Sequence, residues 1–269
     1  LLENYLTLKG KIYFNHKLEN INKDRNIIFF SNNKSYHVGH IAACDGIKSA
    51  CQRILSSTFI EPKYSGYYVW RTIFKSDQEN IHFHLGSNFH VVSYPIDNKR
   101  ISLVAAIKSK KKELESWKQE GSLEDLLLEV PHSILNRYKF IHENDGVYKW
   151  GVYVRPNIIS LIDNNITYLG DSAHPMVPFI GQGACMSLED AYVFGYMLSK
   201  YKNNLSRAQN EYNKFRIKRV RTIYNKSINQ GKLNHLSNPF LVNLRNILMK
   251  STNFIKYRTN KIWSYDVTS

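Results

Sequence analysis

Tyr168-Leu169-Gly170-Asp171-Ser172-Ala173-His174-Pro175-Met176-Val177-Pro178-Phe179-Ile180-Gly181-Gln182-Gly183-Ala184 is the stretch whose reading decides the fold. It leaves a short apolar strand at Ile166 to Leu169 and sets an Asp at that strand's carboxyl end. It then crosses a proline-rich loop and enters a long helix through Gly-Gln-Gly. Each part has a physical use. A carboxylate just past a strand end can accept hydrogen bonds from sugar-like hydroxyls. Glycines at a helix start let backbone approach a flat ligand closely. The free N–H groups and positive dipole end of the helix favour negative charge. The prolines fix the loop and remove competing donors. A lone Gly-x-Gly would be turn chemistry only; the whole ordered string reads as a ligand site.

Outward from this string, the N-terminal side opens with a helix-like segment at residues 1–10. Asn26 to Ser31 and Tyr36 to Cys44 are β-rich runs joined by Asn32-Asn33, which is turn chemistry. Asp45-Gly46 punctuates, and Ile47 to Leu55 is predicted to be a short helix. Gly66 to Phe74, Asn80 to Leu85, Phe89 to Tyr94 and Ile101 to Ile107 alternate as strands with short polar links, which predicts an antiparallel sheet. Helices are expected at about Lys111 to Gln119, Leu123 to Glu129 and Ser133 to Tyr138, and a strand at Val147 to Arg155. Beyond Gly183 the chain reads as helix through Tyr201, from Leu205 to Asn229, and from Pro239 to Tyr257.

Gly170-Asp171-Ser172-Ala173-His174-Pro175, then Pro178, Gly181-Gln182-Gly183-Ala184 and Leu188-Glu189-Asp190-Ala191, resembles the second flavin motif of the FAD-dependent single-component aromatic monooxygenases. The Glu-Asp-Ala ending is most similar to their salicylate hydroxylase-like branch. Ala43-Cys44-Asp45-Gly46-Ile47-Lys48-Ser49 with Arg53 resembles that family's Asp-Gly motif, with Cys44 and Lys48 in place of the usual Ala and His. Weaker echoes are Gly66 to Arg71, Val91 to Ile96, Ser116-Trp117 and Trp263 to Asp266, so the resemblance spans nearly all 269 residues. The family's opening Gly-x-Gly-x-x-Gly unit, which grips the ADP half of FAD, has no counterpart here. Leu1 is therefore expected to begin inside the helix after that unit.

The resemblance implies a fold of α/β (α+β) class: a truncated Rossmann-like FAD-binding domain, an inserted antiparallel substrate sheet and a C-terminal helical region. The expected division is residues 1–62 and 151–200 for the FAD-binding part, 63–150 for the substrate sheet with its helices, and 201–269 for the C-terminal helices. The implied activity is hydroxylation of a phenolic or carboxylated aromatic substrate with NADH or NADPH and O2, through a flavin C4a-hydroperoxide. A related flavin epoxidase or hydroxylase of a non-aromatic ring, or an inactive truncated remnant that does not hold FAD, are the alternatives. Cofactor contacts are expected from Asp45, Gly46, Arg53, Gly170, Asp171, Pro178, Gly181, Gln182, Gly183 and Ala184. The implied role of Asp171 is to bind the ribityl chain, that of Gly181 to Ala184 to face the pyrimidine edge, and that of Pro178 to lie beside the ring. Pro178, His84, Tyr68 and Arg71 are the catalytic candidates; as proton acceptors, His82, His84, His90, Tyr68 and Tyr94 stay open. Arg71 could pair with a substrate carboxylate or serve as a structural ion pair.

The bulk composition agrees with an enzyme of this kind. With 43% hydrophobic and 22% charged residues, the chain has material for a sizeable core. No apolar run reaches the ~20 residues of a membrane span. Cys44, Cys51 and Cys185 show neither CxxC spacing nor disulfide density, which points to a reducing compartment, the cytoplasm. The net charge of +15 is scattered over lysine-rich faces, so nucleic acid is not expected as a partner, nor a metal at His82-x-His84 with His90. Homodimerisation is left open.

Overall fold

The structure is a computed structural model that describes residues 1–22, 26–55, 59–116 and 118–268. In chain order the elements begin with α1 (Leu2–Thr7), β1 (Leu18–Asn22), β2 (Ile27–Phe30), β3 (Ser35–His37), β4 (Ile41–Ala43) and α2 (Ala50–Leu55). Four long strands and two short helices follow: β5 (Lys63–Lys75), β6 (His82–Gly86), β7 (Phe89–Pro95), β8 (Arg100–Lys108), α3 (Leu123–Glu129) and α4 (His132–Leu135). The chain returns through β9 (Asn144–Val154), β10 (Ile162–Asp163) and β11 (Ile166–Tyr168). It ends in helices α5 (Gly183–Lys200), α6 (Leu205–Asn234), α7 (Pro239–Ser251) and α8 (Phe254–Trp263).

Strand parity organises the largest sheet, ordered β6-β7-β8-β5-β9 and antiparallel throughout. Side chains alternate between faces along a strand, so β5 divides cleanly. Tyr68, Trp70 and Phe74 pack with Leu103 and Ala105 of β8 against Leu126 of α3 and Tyr138. Val69 faces the other way and packs with Ala106, Val152, Val177 and Phe179, with Tyr224 and Ile228 of α6 closing over them. The sheet thus has a helix-covered face and a second face turned to the loop after Gly170 and to α6.

The remaining sheets are small. β1-β2-β3 is an antiparallel meander, while in β10-β11-β4 the strands β11 and β4 run parallel. Around β4 and β11 lies the core of Ala43, Tyr168, Met186, Phe194, Tyr212 and Val220. Helix α6 buries Ala208, Tyr212, Arg216, Val220, Ile223 and Ser227, a repeat of three and four that keeps one stripe inward. Among the described residues, no helix is long and apolar enough to cross a membrane.

Several sequence expectations change. The described residues of the predicted helix at 111–119, which are 111–116 and 118–119, are not helical: Gly151 N–H donates to Leu114 O at 2.7 Å and Lys149 N–H to Gln119 O at 3.0 Å, so these carbonyls face β9 instead. Gly151 permits this, because a Cβ there would sit 2.3 Å from Glu113 O. The run Tyr36 to Cys44 is two strands in different sheets, and β1 and β10 were not anticipated. The last helical run divides into α7 and α8 around Thr252 and Asn253. The Ser116-Trp117 echo falls partly outside the described residues, at Trp117.

Candidate active site

The site is built where two parallel strands end. Ile41–Ala43 and Ile166–Tyr168 lie in register, so Cys44-Asp45-Gly46 and Leu169-Gly170-Asp171 emerge side by side at their carboxyl ends. In open α/β sheets that edge is where ligands bind. Leu169 N–H donates to Ala43 O at 3.0 Å, and the Ser172 hydroxyl donates to the same carbonyl at 2.6 Å. The chain turns at Gly170 with φ +61, a left-handed conformation that other residues adopt only under strain.

Buried Arg155, which the sequence reading passed over, ties the surrounding loops together. Its guanidinium donates to Ile60 O at 2.9 Å, Ser172 O at 2.7 Å and Ile47 O at 3.1 Å. Burial pulls its pKa down, while Glu61, Asp45, Tyr168 and Asp171 oppose that. Asp45 is exposed, and its carboxylate accepts from Cys51 N–H at 3.0 Å, which anchors the start of α2. Asp171 is open to solvent on one side, yet the protein crowded around it pushes its carboxyl pKa up, with His174 pulling the other way.

After the proline-rich loop, α5 starts at Gly183 with no side-chain cap on its first turn. Its leading N–H groups and the positive end of its dipole are therefore left for a ligand. A Cβ added at Gly46, Gly181 or Gly183 would meet no protein atom within 4 Å, so their backbones border open space. Carboxylates for hydroxyls, open amides for an electron-rich edge and bare backbone for a flat ring together fit a flavin.

A buried ionic network holds this joint. His174 Nε2 donates to Asp190 Oδ2 at 2.6 Å, Gly170 N–H to the same oxygen at 2.9 Å, and Arg216 Nε to Asp190 Oδ1 at 2.8 Å. Arg216 also meets Glu189 at 2.5 Å, and Arg219 meets Glu189 at 3.1 Å. Burial alone would raise Asp190, but His174, Arg216 and Gly170 outweigh it and hold its carboxyl below the usual range. Asp190 thus clamps the loop on one side and α6 on the other. No contiguous motif announces Arg216, which lies 26 residues from Asp190 in the chain.

Pro178 leads into a cavity of about 990 Å³ between the second sheet face, the loop Pro178–Gly181, α6 and α8. Val69, His90, Val92, Tyr94 and Val104 line its sheet wall. Of the catalytic candidates, Pro178 borders this space. Arg71 shares the parity of Val69 and donates to Ser102 Oγ at 3.2 Å. Tyr68 and His84 lie on the opposite, helix-covered face. Tyr68 OH donates to Glu129 at 2.7 Å, and His84 stands 3.3 Å from Tyr138 OH. Arg53 borders a separate cavity of about 360 Å³ with Ser49, Glu61 and Glu115. His82 and His84 share one face while His90 takes the other, and no group of three or more candidate metal ligands forms among the described residues. His90 instead pairs with His235 of α6's C-terminus, Nδ1 to Nε2 at 2.6 Å.

Comparison with known proteins identifies a family. A family model described as an FAD binding domain matches residues 7–225. The 3-amino-4-hydroxybenzoate 2-monooxygenase PtnB3 of Streptomyces platensis is 29% identical over 215 residues, which are 77% of this chain and 54% of that protein. A 3-hydroxybenzoate 6-hydroxylase of Klebsiella oxytoca is 26% identical over 246 residues, 88% of this chain and 61% of its own. The chain thus spans about half the length of the curated relatives it matches. Among solved structures, Klebsiella pneumoniae HpxO complexed with FAD and uric acid aligns at TM-score 0.77 and 21% identity, covering 97% of this chain and 70% of that one. A salicylate hydroxylase substrate complex aligns at 0.76 and 19%, covering 94% and 68%. The two structural likenesses establish the mixed helix-and-sheet architecture with its antiparallel sheet.

Proposed function

This chain belongs to the FAD binding domain family, and from that premise we propose that it forms the flavin-ring side of a monooxygenase that hydroxylates a phenolic or carboxylated aromatic compound with NAD(P)H and O2. The observation that carries the proposal is that two loops leave adjacent parallel strands side by side, that the second is tied to α5 through Gly170 and Asp190, and that α5 starts uncapped behind a loop whose Pro178 borders a large cavity. We read residues 1–62 and 151–200 as one cofactor-holding unit, 63–150 as the substrate sheet and 201–269 as its helical cover.

FAD, when bound, supplies reduction by NAD(P)H and activation of O2. The residues of the chain do the rest. Asp171 accepts hydrogen bonds from the ribityl hydroxyls, and the amides of Gly181, Gln182, Gly183 and Ala184 meet the pyrimidine edge. Asp45, Gly46 and Arg53 approach the pyrophosphate side. Pro178 flanks the ring, and the apolar sheet wall excludes water from the reacting carbon. His90 and Tyr94, which share the cavity, orient a phenolic hydroxyl. Burial and the neighbouring His235 lower the pKa of His90 to about 3. It therefore serves better as a neutral hydrogen-bond partner than as a full proton acceptor. Tyr68 and His84, on the other sheet face, do not line this cavity.

The test is NAD(P)H oxidation by the flavin-loaded protein against a panel of phenols and aromatic acids, with products weighed by mass spectrometry under isotopically labelled O2. The expected result is stimulation by at least one aromatic compound and incorporation of one labelled oxygen atom. Oxidation indifferent to every aromatic compound, with no labelled product, would contradict the proposal.

A further inference from the structure

The cavity next to Pro178 is large and one-sided in charge. A space of roughly 150 Å³ suffices for one benzene ring, and three fused rings need about three times that. A cavity of about 990 Å³ therefore keeps room for more than one substrate ring beside a flavin. Its sheet and loop walls are apolar, whereas α6 and α8 contribute Lys226, Arg258 and Lys261. No Asp or Glu lines it among the described residues.

Among the described residues, these three cations have no ion-pair partner. Neighbouring Arg216 and Arg219 are matched by Asp190 and Glu189, but no described carboxylate lies within 4.0 Å of Lys226, Arg258 or Lys261. Arg258 reaches Gln230 at 3.4 Å and lies 5.4 Å from the Phe254 ring centre. Burial and the nearby Arg219, Lys261 and Arg258 lower the pKa of Lys226, the mark of cations held close without a counter-ion. Tyr257 and Trp263, both on the cavity wall, set flat apolar surfaces beside them. Arg71, a further cation on this sheet face, is already engaged with Ser102.

We propose that the cavity takes an aromatic acid of two or more rings, its carboxylate held by Lys226, Arg258 and Lys261 while its rings lie along the sheet. This rests on the monooxygenase reading and narrows its substrate class beyond single-ring hydroxybenzoates. A carboxylate there would gain charge-assisted hydrogen bonds in a largely apolar setting, and each added ring would bury further apolar surface.

Calorimetric titration of the protein with a hydroxynaphthoate, the matching uncharged hydroxynaphthamide and a hydroxybenzoate tests this. The hydroxynaphthoate is expected to bind about tenfold or more tightly than either of the others. Lys226→Gln with Arg258→Gln should remove that advantage and leave amide binding unchanged. Lys261→Gln, an exposed change that spares the packing, should weaken the acid in the same direction, and Arg258→Lys should retain most of its affinity. Equal affinity for acid and amide, or an acid affinity that the neutral variants do not alter, would overturn the inference. Flavin titration of the same samples separates the two readings. Flavin binding with no preference for the acid defeats the acid site alone. Acid-selective binding without flavin supports the acid site and defeats the monooxygenase reading.

Discussion

His90 and His235 illustrate what single residues contribute. Burial lowers both, His90 to about 3 with help from His235, and His235 to about 4 with help from Lys108. In the unfolded chain each titrates near 6.5. Between about 4 and 6.5 the unfolded state therefore binds more protons, and stability rises with pH. The contribution is complete above about 6.5 and drains away as pH falls toward the folded values. Thermal melts should show Tm dropping between pH 7 and pH 5, and His90→Gln with His235→Gln should flatten that slope; an unchanged slope in the double variant would remove the pair from the account. His90 was legible as one of the open proton-acceptor candidates, but its partner lies 145 residues away, where no local pattern reaches. Tyr68 and His84 show the complementary failure. Alternation along a strand tells which residues share a face, not which face meets the ligand. The positions of Asp171, Pro178 and Gly183 were readable because they sit in one unbroken string whose chemistry is local.

At the scale of elements, the joint from β11 through the Gly170–Ser172 turn into α5 decides whether the site exists. Gly170 takes φ +61, and a Cβ there would approach Ser187 Oγ to 2.5 Å. Gly170→Ala is expected to cost about 1–2 kcal/mol in backbone strain alone, which for a chain of this size lowers Tm by several degrees. Flavin affinity should fall with it, since Asp171 is the next residue. A melt and a flavin titration matching the unmodified protein would show that the joint tolerates another conformation. The strand and helix pattern of this joint was visible in the sequence. The segment 111–119 was not, because its lysine-rich composition suits a helix in isolation. Its carbonyls are instead taken by β9, across from Gly151. Tertiary hydrogen bonds overrode local propensity there. The split of Tyr36 to Cys44 has a similar origin: β3 ends a meander while β4 starts the pairing with β11 that the site depends on.

For the whole molecule, the excess of +15 is partly taken up inside. Arg155 is engaged by loop carbonyls, Arg216 and Arg219 by Asp190 and Glu189, and Lys149 by Glu113 and Glu129. These contacts join the loops after β4 and β11, α5, α6 and the large sheet, so the edge proposed to face the flavin and the cavity beside Pro178 sit on a single cross-linked frame. On the proposed reading, Asp171 holds the ribityl chain of the flavin and the open amides at the start of α5 hold its ring. Fluorescence titration of the purified protein with FAD tests it most directly, run beside Asp171→Ala and, as a control from the opposite sheet face, Tyr68→Phe. The expected result is saturable binding that Asp171→Ala weakens about tenfold or more and Tyr68→Phe leaves alone. Binding that is absent, or that Asp171→Ala does not weaken, would contradict the account.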